Sequence, residues 1–392
     1  MPRPWKRWRP SLNSCGNSKD GTDRLDLDEI RTRIDQLDER IQSLIAERAG
    51  LAQAVRSAKG EAATPAEYYR PDREAQVLRR VIERNSGPLA DSVMLRLFRE
   101  IMSACLAQQE PLRVAYLGPE GTFTQQAVFR QFGHSVSASA ETGIDEVFRR
   151  VQGGEVDFGV VPVENSSQGV VTHTLDMFMN TDVRIAAEVE LRIHQNLLTH
   201  ARSLEAIERV YAHQQSLSQC RMWLAGHLDH AEFIAVSSNA EAARRVRNAP
   251  DAAALAGRDA AEIYGLPVLF ANVEDHTDNT TRFLVLGREL LPPSGEDKTT
   301  LMVAGLDGPG ALFGLIEPLS KHGVNMTRIE SRPSRERRWD YVFFIDVEGH
   351  VEDPGLKEAL EEIESRAAQV RILGCYPRAV VGRLPGEHDA SS

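Results

Sequence analysis

Between Asp28 and Gly60 the residues spell one long helix, and its pattern dictates how that helix must pack. Apolar side chains recur at steps of three and four: Leu27, Ile30, Ile34, Leu37, Ile41, Leu44, Leu51, Val55 and Ala58. A period of ~3.5 sustained this far belongs to helices that lie along one another. Arg48 is the single charge in the seam. A buried guanidinium without a partner is costly, so it demands an anion. Lys59 falls about 20° further round the helix and shares that face. Arg31 lies about 42 Å from Lys59 along a straight helix. A small ligand gripped by both must be gripped by two chains. A helix of about 50 Å also exceeds a compact three-helix monomer. The segment is therefore expected to intertwine with a second copy. These residues alone leave one alternative open, a coiled-coil dimerisation helix whose basic groups are solvated.

The whole chain has 392 residues, enough for two to four domains with separate cores. Its net charge of −11 disfavours nucleic acid and acidic membranes as partners. Anions must then be bound by local clusters. Cys15, Cys105, Cys220 and Cys375 are far apart, so neither a disulfide framework nor a zinc site is expected. No metal or organic cofactor is called for by any His/Cys spacing, and a reducing cytoplasm fits. No apolar run approaches the ~18 residues of a membrane span. Residues 1–22 form a basic, Trp-containing and then polar stretch without an apolar core. They are expected to be a disordered extension rather than a signal peptide, and 381–392 a disordered tail.

Asp26 and Glu29 have capping-box spacing at the start of the long helix, and Gly60 and Pro65 end it. GEAATPAEYY reads as a loop, 70–85 as a second helix, and 89–109 as a third carrying Met94, Phe98, Ile101 and Cys105, with Gln109 one turn on. One long helix and two shorter ones bearing Arg31, Arg48, Lys59, Arg73, Glu74 and Gln109 in this order resemble the all-helical chorismate mutase domain. The resemblance implies an intertwined dimer in which Arg31 is lent by the partner chain. It implies that Arg48 and the borrowed Arg31 hold the two carboxylates of chorismate. Lys59 and Gln109 then flank the ether oxygen, and Glu74 takes the ring hydroxyl. Arg73 and Cys105 fall beside the substrate. Cys105 stands where relatives carry serine, and Arg70 where an acid is common. The rearrangement of chorismate to prephenate needs no nucleophile. It needs a compact conformer and stabilised charge on the ether oxygen, which forked cations supply.

From Leu112 the texture becomes α/β. RVAYLG is a strand, and GPEGTFTQQA is a Gly-rich turn that aims N–H groups at an anion. Residues 144–152 read as a helix. VDFGVVPVENSSQGVVTHTLDMF reads as strand, polar turn and helix, ELRIHQNLLTH as a strand, and YAHQQSLSQCRMWL as a turn into a helix. SSNAEAARRVRNAPDAAALAG, rich in alanine, reads as helical, and DNTTRFLVLG as a polar turn feeding a strand. Polar turns at strand ends are where open α/β sheets bind ligands. GPEGTFTQQA, PVENSSQGVV and TTRFLVLG together resemble prephenate dehydratase, a fold of two α/β lobes around a cleft, similar to solute-binding proteins. The resemblance implies that Thr281 is the central catalytic residue. Because a threonine hydroxyl is a poor general acid, Thr281 is read as a hydrogen-bond donor to the leaving hydroxyl, with Glu164 as the proton source. The resemblance surrounds the substrate with Gly118, Thr122, Phe123, Asn165, Ser166, Ser167, Gln219, Arg282 and Phe283. His213 and Gln215 lie near the site.

LLPPSGEDK, 290–298, reads as a linker. The remainder reads βαββαβ, a ferredoxin-like order. It resembles the amino-acid-binding ACT domain, with motifs Gly310-Ala311-Leu312-Phe313 and Glu330-Ser331-Arg332-Pro333. That implies allosteric binding of L-phenylalanine and feedback inhibition. The expected organisation is a mutase domain at 23–110, a dehydratase domain at 111–289, and a regulatory domain at 299–380. All three occur in the order found in the bifunctional chorismate mutase/prephenate dehydratase family. The expected partners are chorismate, prephenate and L-phenylalanine, in a homodimer or tetramer, with no nucleic acid or membrane. Two alternatives remain, a metabolite sensor on the same folds and an enzyme with only the dehydratase activity.

Overall fold

The computed structural model describes residues 26–59, 69–108, 110–305, 308–334 and 341–380, without the side chains of 56, 57 and 59. The expected extension 1–22, the tail 381–392, the loop at 60–68, Gln109 and the Lys59 side chain lie outside the described residues. The chain forms two compact units, up to Gly50 and from Leu51 onward.

Helix α1, Leu27–Lys59, starts in the first unit and ends in the second. Its first turn forms one of the two bonds of the capping box that its spacing predicts. The Asp26 N–H donates to Glu29 Oε2 at 3.4 Å, and the Leu27 N–H donates to Asp26 Oδ1 at 2.8 Å. The apolar seam is not covered: Ile34 is 50% exposed, Leu37 52% and Leu44 60%. A continuous apolar stripe of this kind marks an interaction surface.

The second unit opens with α2, Pro71–Arg84, and α3, Asp91–Ala107. The dehydratase-like part has two sheets. The first contains β1 (Arg113–Leu117), β2 (Ser137–Glu141), β3 (Phe158–Asn165), β4 (Gly169–Val170), β5 (Arg184–Arg192) and β11 (Thr280–Gly287). Its order is β2-β1-β3-β11-β5, with β4 paired to β3. Around it lie α4 (Phe123–Phe132), α5 (Ile144–Gln152) and α6 (Thr172–Met179). The second sheet contains β6 (Asn196–Thr199), β7 (Arg209–His213), β8 (Glu232–Val236), β9 (Ala252–Ala256) and β10 (Val268–Phe270), in the order β10-β6-β9-β7-β8. Helices α7 (Gln214–Gln219), α8 (Arg221–His227), α9 (Asn239–Val246) and α10 (Arg258–Tyr264) accompany it. The chain crosses between lobes twice, at 193–195 and again before β11.

One expectation is corrected here. The alanine run 252–256 is not helix but β9, the middle strand of the second sheet, with every residue fully buried. Alanine favours helices only weakly, and burial in a sheet with a helix packed close overrides it. The helical reading holds only for 239–246.

The C-terminal part is βαββαβ: β12 (Asp297–Ala304), α11 (Ala311–Lys321), β13 (Met326–Pro333), β14 (Tyr341–Glu348), α12 (Pro354–Arg366) and β15 (Gln369–Pro377). Its antiparallel sheet runs β13-β14-β12-β15. Helices α11 and α12 cover one face, over Leu301, Val303, Ile345 and Val347. The other face packs on the first dehydratase sheet, where Met302, Phe344, Leu373 and Tyr376 share a core with Val161, Ile185, Leu284 and Leu286. At Gly374 a side chain would meet the Ile185 carbonyl at 2.3 Å, so glycine is what lets β15 approach β5 this closely. The expected linker is pinned rather than loose. Ser294 is buried and donates to Asp297 Oδ1 at 2.6 Å, and Arg79 of α2 donates to the Ser294 carbonyl at 3.1 Å.

Candidate active site

A cleft of about 760 Å³ opens between the two dehydratase lobes. The first lobe contributes Gly118, Thr122, Phe123, Asn165, Thr281 and Phe283, and the second Gln195, His213, Gln215 and Asn239, with Gln219 reaching in from α7. Each part sits at an element boundary. Thr122 caps α4, accepting from the Gln125 N–H, and Gly121 supplies a φ of +85° for the turn before it. His213 caps α7, with Nδ1 accepting from the Gln215 N–H, and Ser238 caps α9. Among the described lining residues there is no lysine or arginine. Glu141 is the one carboxylate, and Arg150 takes it in an ion pair. The partial positive charge offered to a ligand therefore comes from the starts of α4, α6 and α9.

The strand register brings the polar turns together. Thr281 of β11 is paired with Asn165 of β3. Asn165 Nδ2 donates to Thr281 Oγ1 at 2.8 Å and to Asn279 Oδ1 at 3.0 Å. Ser167 donates to Asn165 Oδ1 through both its N–H, at 3.1 Å, and its hydroxyl, at 2.7 Å. Gln219 Nε2 donates to Ser167 Oγ at 3.0 Å, joining the lobes. Ser166 ties the two turns together instead. Its hydroxyl accepts from the Thr280 N–H at 3.0 Å, and its own N–H donates to the Thr280 carbonyl at 2.9 Å.

Glu164 and Arg282, expected beside the substrate, lie outside this constellation. Side chains alternate across a strand, so the neighbours of Asn165 and Thr281 point to the far face. Glu164 and Arg282 are register partners there. Glu164 Oε2 lies 2.8 Å from Arg328 Nε of β13, and Arg282 bonds Glu188 Oε2 at 2.9 Å. Neither faces the cleft. Phe283 lines the cleft and is at the same time a core residue, 1% exposed.

The helical set is placed less completely. Arg31 is exposed and pairs with Asp28 at 3.3 Å. Arg48 is half-buried, Arg73 is exposed and Cys105 is buried. Glu74 is half-buried against Tyr69 and Arg99, whose Nε is 3.9 Å away. Burial raises its carboxyl above the usual range, partly offset by Arg99 and the Tyr69 hydrogen bond. Arg70, which stands where an acid was expected, is taken up by Asp72 in a bidentate pair at 2.9 and 2.8 Å.

In the regulatory part, Gly310 has φ +81° immediately before α11, and Phe313 is 64% exposed. Ala311 is half-buried and Leu312 exposed on the same turn. Glu330, Ser331, Arg332 and Pro333 lie on the edge strand β13, and Arg332 is paired with Asp176 of α6 at 3.0 Å. Sequence reasoning missed Asn279, Gln195 and Asn239. Asn239 holds the second-lobe wall, accepting from the His213 N–H at 2.9 Å and donating to Ser216 Oγ at 2.7 Å. The polar run before Thr-Arg-Phe was the one signal for Asn279.

Three family descriptions match the chain: chorismate mutase type II at residues 30–110, prephenate dehydratase at 114–290, and ACT domain at 299–365. A bifunctional chorismate mutase/prephenate dehydratase of Stutzerimonas stutzeri is 52% identical over 90% of this chain and 98% of its own length. One of Pseudomonas aeruginosa is 50% identical over 92% of this chain and 100% of its own length. A crystal structure of a prephenate dehydratase in complex with L-Phe from Arthrobacter aurescens superposes with a TM-score of 0.64 at 35% identity, covering 68% of this chain and 90% of that one.

Proposed function

Because the chain belongs to the bifunctional chorismate mutase/prephenate dehydratase family, we propose that the interlobe cleft is where prephenate loses water and carbon dioxide, with Thr281 donating to the departing hydroxyl. The protein is an enzyme of phenylalanine biosynthesis with two activities, rearranging chorismate to prephenate and converting prephenate to phenylpyruvate.

The observation that carries the proposal is the hydrogen bond from Asn165 Nδ2 to Thr281 Oγ1. Because Thr281 accepts there, its own hydrogen is available to the cleft. In the reaction the ring C–O bond breaks with its electron pair going to oxygen. The bond to the ring carboxylate breaks with its pair entering the ring, which becomes aromatic, and carbon dioxide leaves. One proton is taken up so that hydroxide departs as water. A threonine hydroxyl is too weak an acid to surrender its proton outright, so Thr281 acts by stabilising charge on the leaving oxygen. Glu164, facing away, is not its proton source. Helix starts rather than cations receive the two carboxylates. A departing carboxylate is therefore not anchored by an ion pair that decarboxylation would have to break.

For the mutase step, Arg48 and a partner chain's Arg31 hold the carboxylates of chorismate, Lys59 and Gln109 flank the ether oxygen, and Glu74, Arg73 and Cys105 complete the pocket. The uncovered seam of α1 supports a homodimer in which a second copy closes that face. L-phenylalanine binds the ACT domain at the Gly310–Phe313 turn and the Glu330–Pro333 strand, and favours a less active quaternary state. The relative solved with L-Phe supports this ligand. Among the described residues no helix is long and apolar enough to cross a membrane. The cytoplasm is the proposed location, a reducing compartment that suits the free thiols Cys105, Cys220 and Cys375.

The test is an assay that follows chorismate loss and phenylpyruvate formation separately. Arg48→Ala should abolish the first and Thr281→Val the second, each sparing the other. Normal dehydratase turnover in Thr281→Val would remove the assignment. Titration calorimetry showing no heat with phenylalanine would remove the regulatory part.

A further inference from the structure

The hydrogen bonds of the cleft converge on a residue outside every motif, Asn279. We propose that Asn279 is a positioning residue that sets the direction of the hydrogen-bond chain ending at the Thr281 hydroxyl. The inference rests on the reading of Thr281 as the donor to the leaving group.

The direction can be deduced link by link. A backbone N–H can only donate, so the Ser167 N–H, 3.1 Å from Asn165 Oδ1, fixes which end of the Asn165 amide is oxygen. Asn165 Nδ2 must then face the other way, where it has two hydrogens to place. One goes to Thr281 Oγ1 at 2.8 Å. The second goes to Asn279 Oδ1 at 3.0 Å. Asn165 and Asn279 are 7% and 4% exposed, so water is a poor substitute for either bond. The Asn279 carbonyl oxygen also lies 3.2 Å from Ser167 Oγ. Its backbone carbonyl accepts from the Ile193 N–H at 2.8 Å, which holds the residue at the crossing between lobes. Turned over, Asn279 would set its own Nδ2 against the Asn165 Nδ2, donor against donor.

With Asn279 in place, every link runs one way, from Gln219 to Ser167, from Ser167 to Asn165, and from Asn165 to Thr281. Each acceptor is also a donor, so polarisation accumulates toward the last hydroxyl. Without the Asn279 carbonyl, one Asn165 N–H is buried and unpaired, and the amide is free to tilt off Thr281. The placement has a cost that itself argues for a role. Asn279 Nδ2 is buried with no hydrogen-bond partner among the described residues. A buried orphan donor is tolerated where the rest of the side chain is needed.

The experiment compares Asn279→Ala and Asn279→Asp in the full-length enzyme, measuring dehydratase kcat and KM, mutase rate and melting temperature. Asn279→Ala should lower dehydratase kcat roughly 10- to 100-fold, the scale of a misplaced catalytic group, with KM for prephenate within about threefold and mutase rate unchanged. Asn279→Asp keeps an acceptor facing Asn165 in either protonation state and should recover most of that loss. Dehydratase turnover within about twofold of the parent in Asn279→Ala, or equal damage in both variants, would overturn the proposal. Thr281→Val assayed alongside separates the two claims. If that variant stays active, the reading of Thr281 falls. If it is dead while Asn279→Ala is normal, only the role of Asn279 falls.

Discussion

Strand β11 has two faces that differ in kind. On the cleft side, Thr281 and Phe283 are met by neutral groups, an asparagine amide above all. On the other side, Arg282 lies 2.9 Å from Glu188 and 2.7 Å from Asp346 of the ACT sheet, and 3.8 Å from Glu164. Lys298 also bonds Glu188 at 2.7 Å, and Arg328 bonds Glu164 at 2.8 Å. Burial works against the Arg282 charge, but Tyr376, Asp346 and Glu188 more than offset it, and its pKa is raised. The comparison teaches a division of tasks. A face that meets a dianionic substrate is built from dipoles, because the charge arrives with the ligand. A face that must join two domains permanently is built from matched charges and apolar packing, because both partners are always present.

The largest effect should come from the ionic face. Arg282→Met leaves Glu188 and Asp346, 5% and 2% exposed, without their shared cation. Removing one partner of a buried ion pair typically costs about 3–5 kcal/mol. Thermal melting should show the loss in the part of the molecule that contains the dehydratase and ACT sheets. An unchanged melting curve would mean that this face is solvated in solution.

Next comes the neutral face. Thr281→Val should cost about two to three powers of ten in dehydratase kcat, the scale set by removing one donor to a developing oxyanion. It also strands one neutral Asn165 N–H, so the melting temperature should fall, by about 1–3 kcal/mol of stability and less than in Arg282→Met. The pair of results, the larger loss of stability on one face and the larger loss of chemistry on the other, is what the comparison predicts.

Much of this was legible in the residues. The seam from Leu27 to Ala58 gave the long helix, and the polar turns gave the two-lobed cleft through their resemblance to prephenate dehydratase. What the motifs concealed was alternation. A strand cannot aim Thr281, Arg282 and Phe283 at one substrate, nor Glu164 and Asn165, since neighbours point to opposite sides. Applied to the two motifs, that rule alone sends Glu164 and Arg282 to the side of the sheet away from Asn165 and Thr281. Residues 252–256 failed for a different reason. Alanine carries little local information, and only the surrounding sheet decides its conformation. Asn279 showed only as part of the polar run before Thr-Arg-Phe, because its role lies in orienting another side chain, which no spacing encodes.

A smaller effect tests Glu164 itself. Glu164→Gln keeps the shape and removes the charge opposite Arg328 and Arg282. If Glu164 supplied the proton, turnover should fall as far as in Thr281→Val. From the far face, the change should reach the cleft only through the backbone of Asn165. Dehydratase kcat is then expected within about tenfold of the parent, or ~1.4 kcal/mol. A loss as deep as that of Thr281→Val, largely recovered in a Glu164→Asp control, would restore the carboxylate to the chemistry.

The smallest effect belongs to Tyr376, and it tests how far the ionic face is insulated from the neutral one. Its hydroxyl accepts from Arg282 Nη2 at 3.2 Å and shares a hydrogen with Thr300 Oγ1 at 2.8 Å. Burial holds the phenol well above its usual pKa, so it stays a neutral donor and acceptor. Tyr376→Phe deletes only that hydroxyl. Arg282 retains Glu188, and Thr300 retains Asp346 at 2.7 Å, so no charge is stranded. The cost should be that of one net hydrogen bond, about 0.5–1.5 kcal/mol, read as a small drop in melting temperature. The ring remains in the shared core, and neither Arg282 nor Thr300 lines the cleft. Dehydratase kcat should therefore stay within about twofold of the parent, since no transition-state contact is lost. A loss of turnover comparable to that of Thr281→Val would show that the two faces of β11 act as one, and that the charges behind the strand are part of the catalytic apparatus.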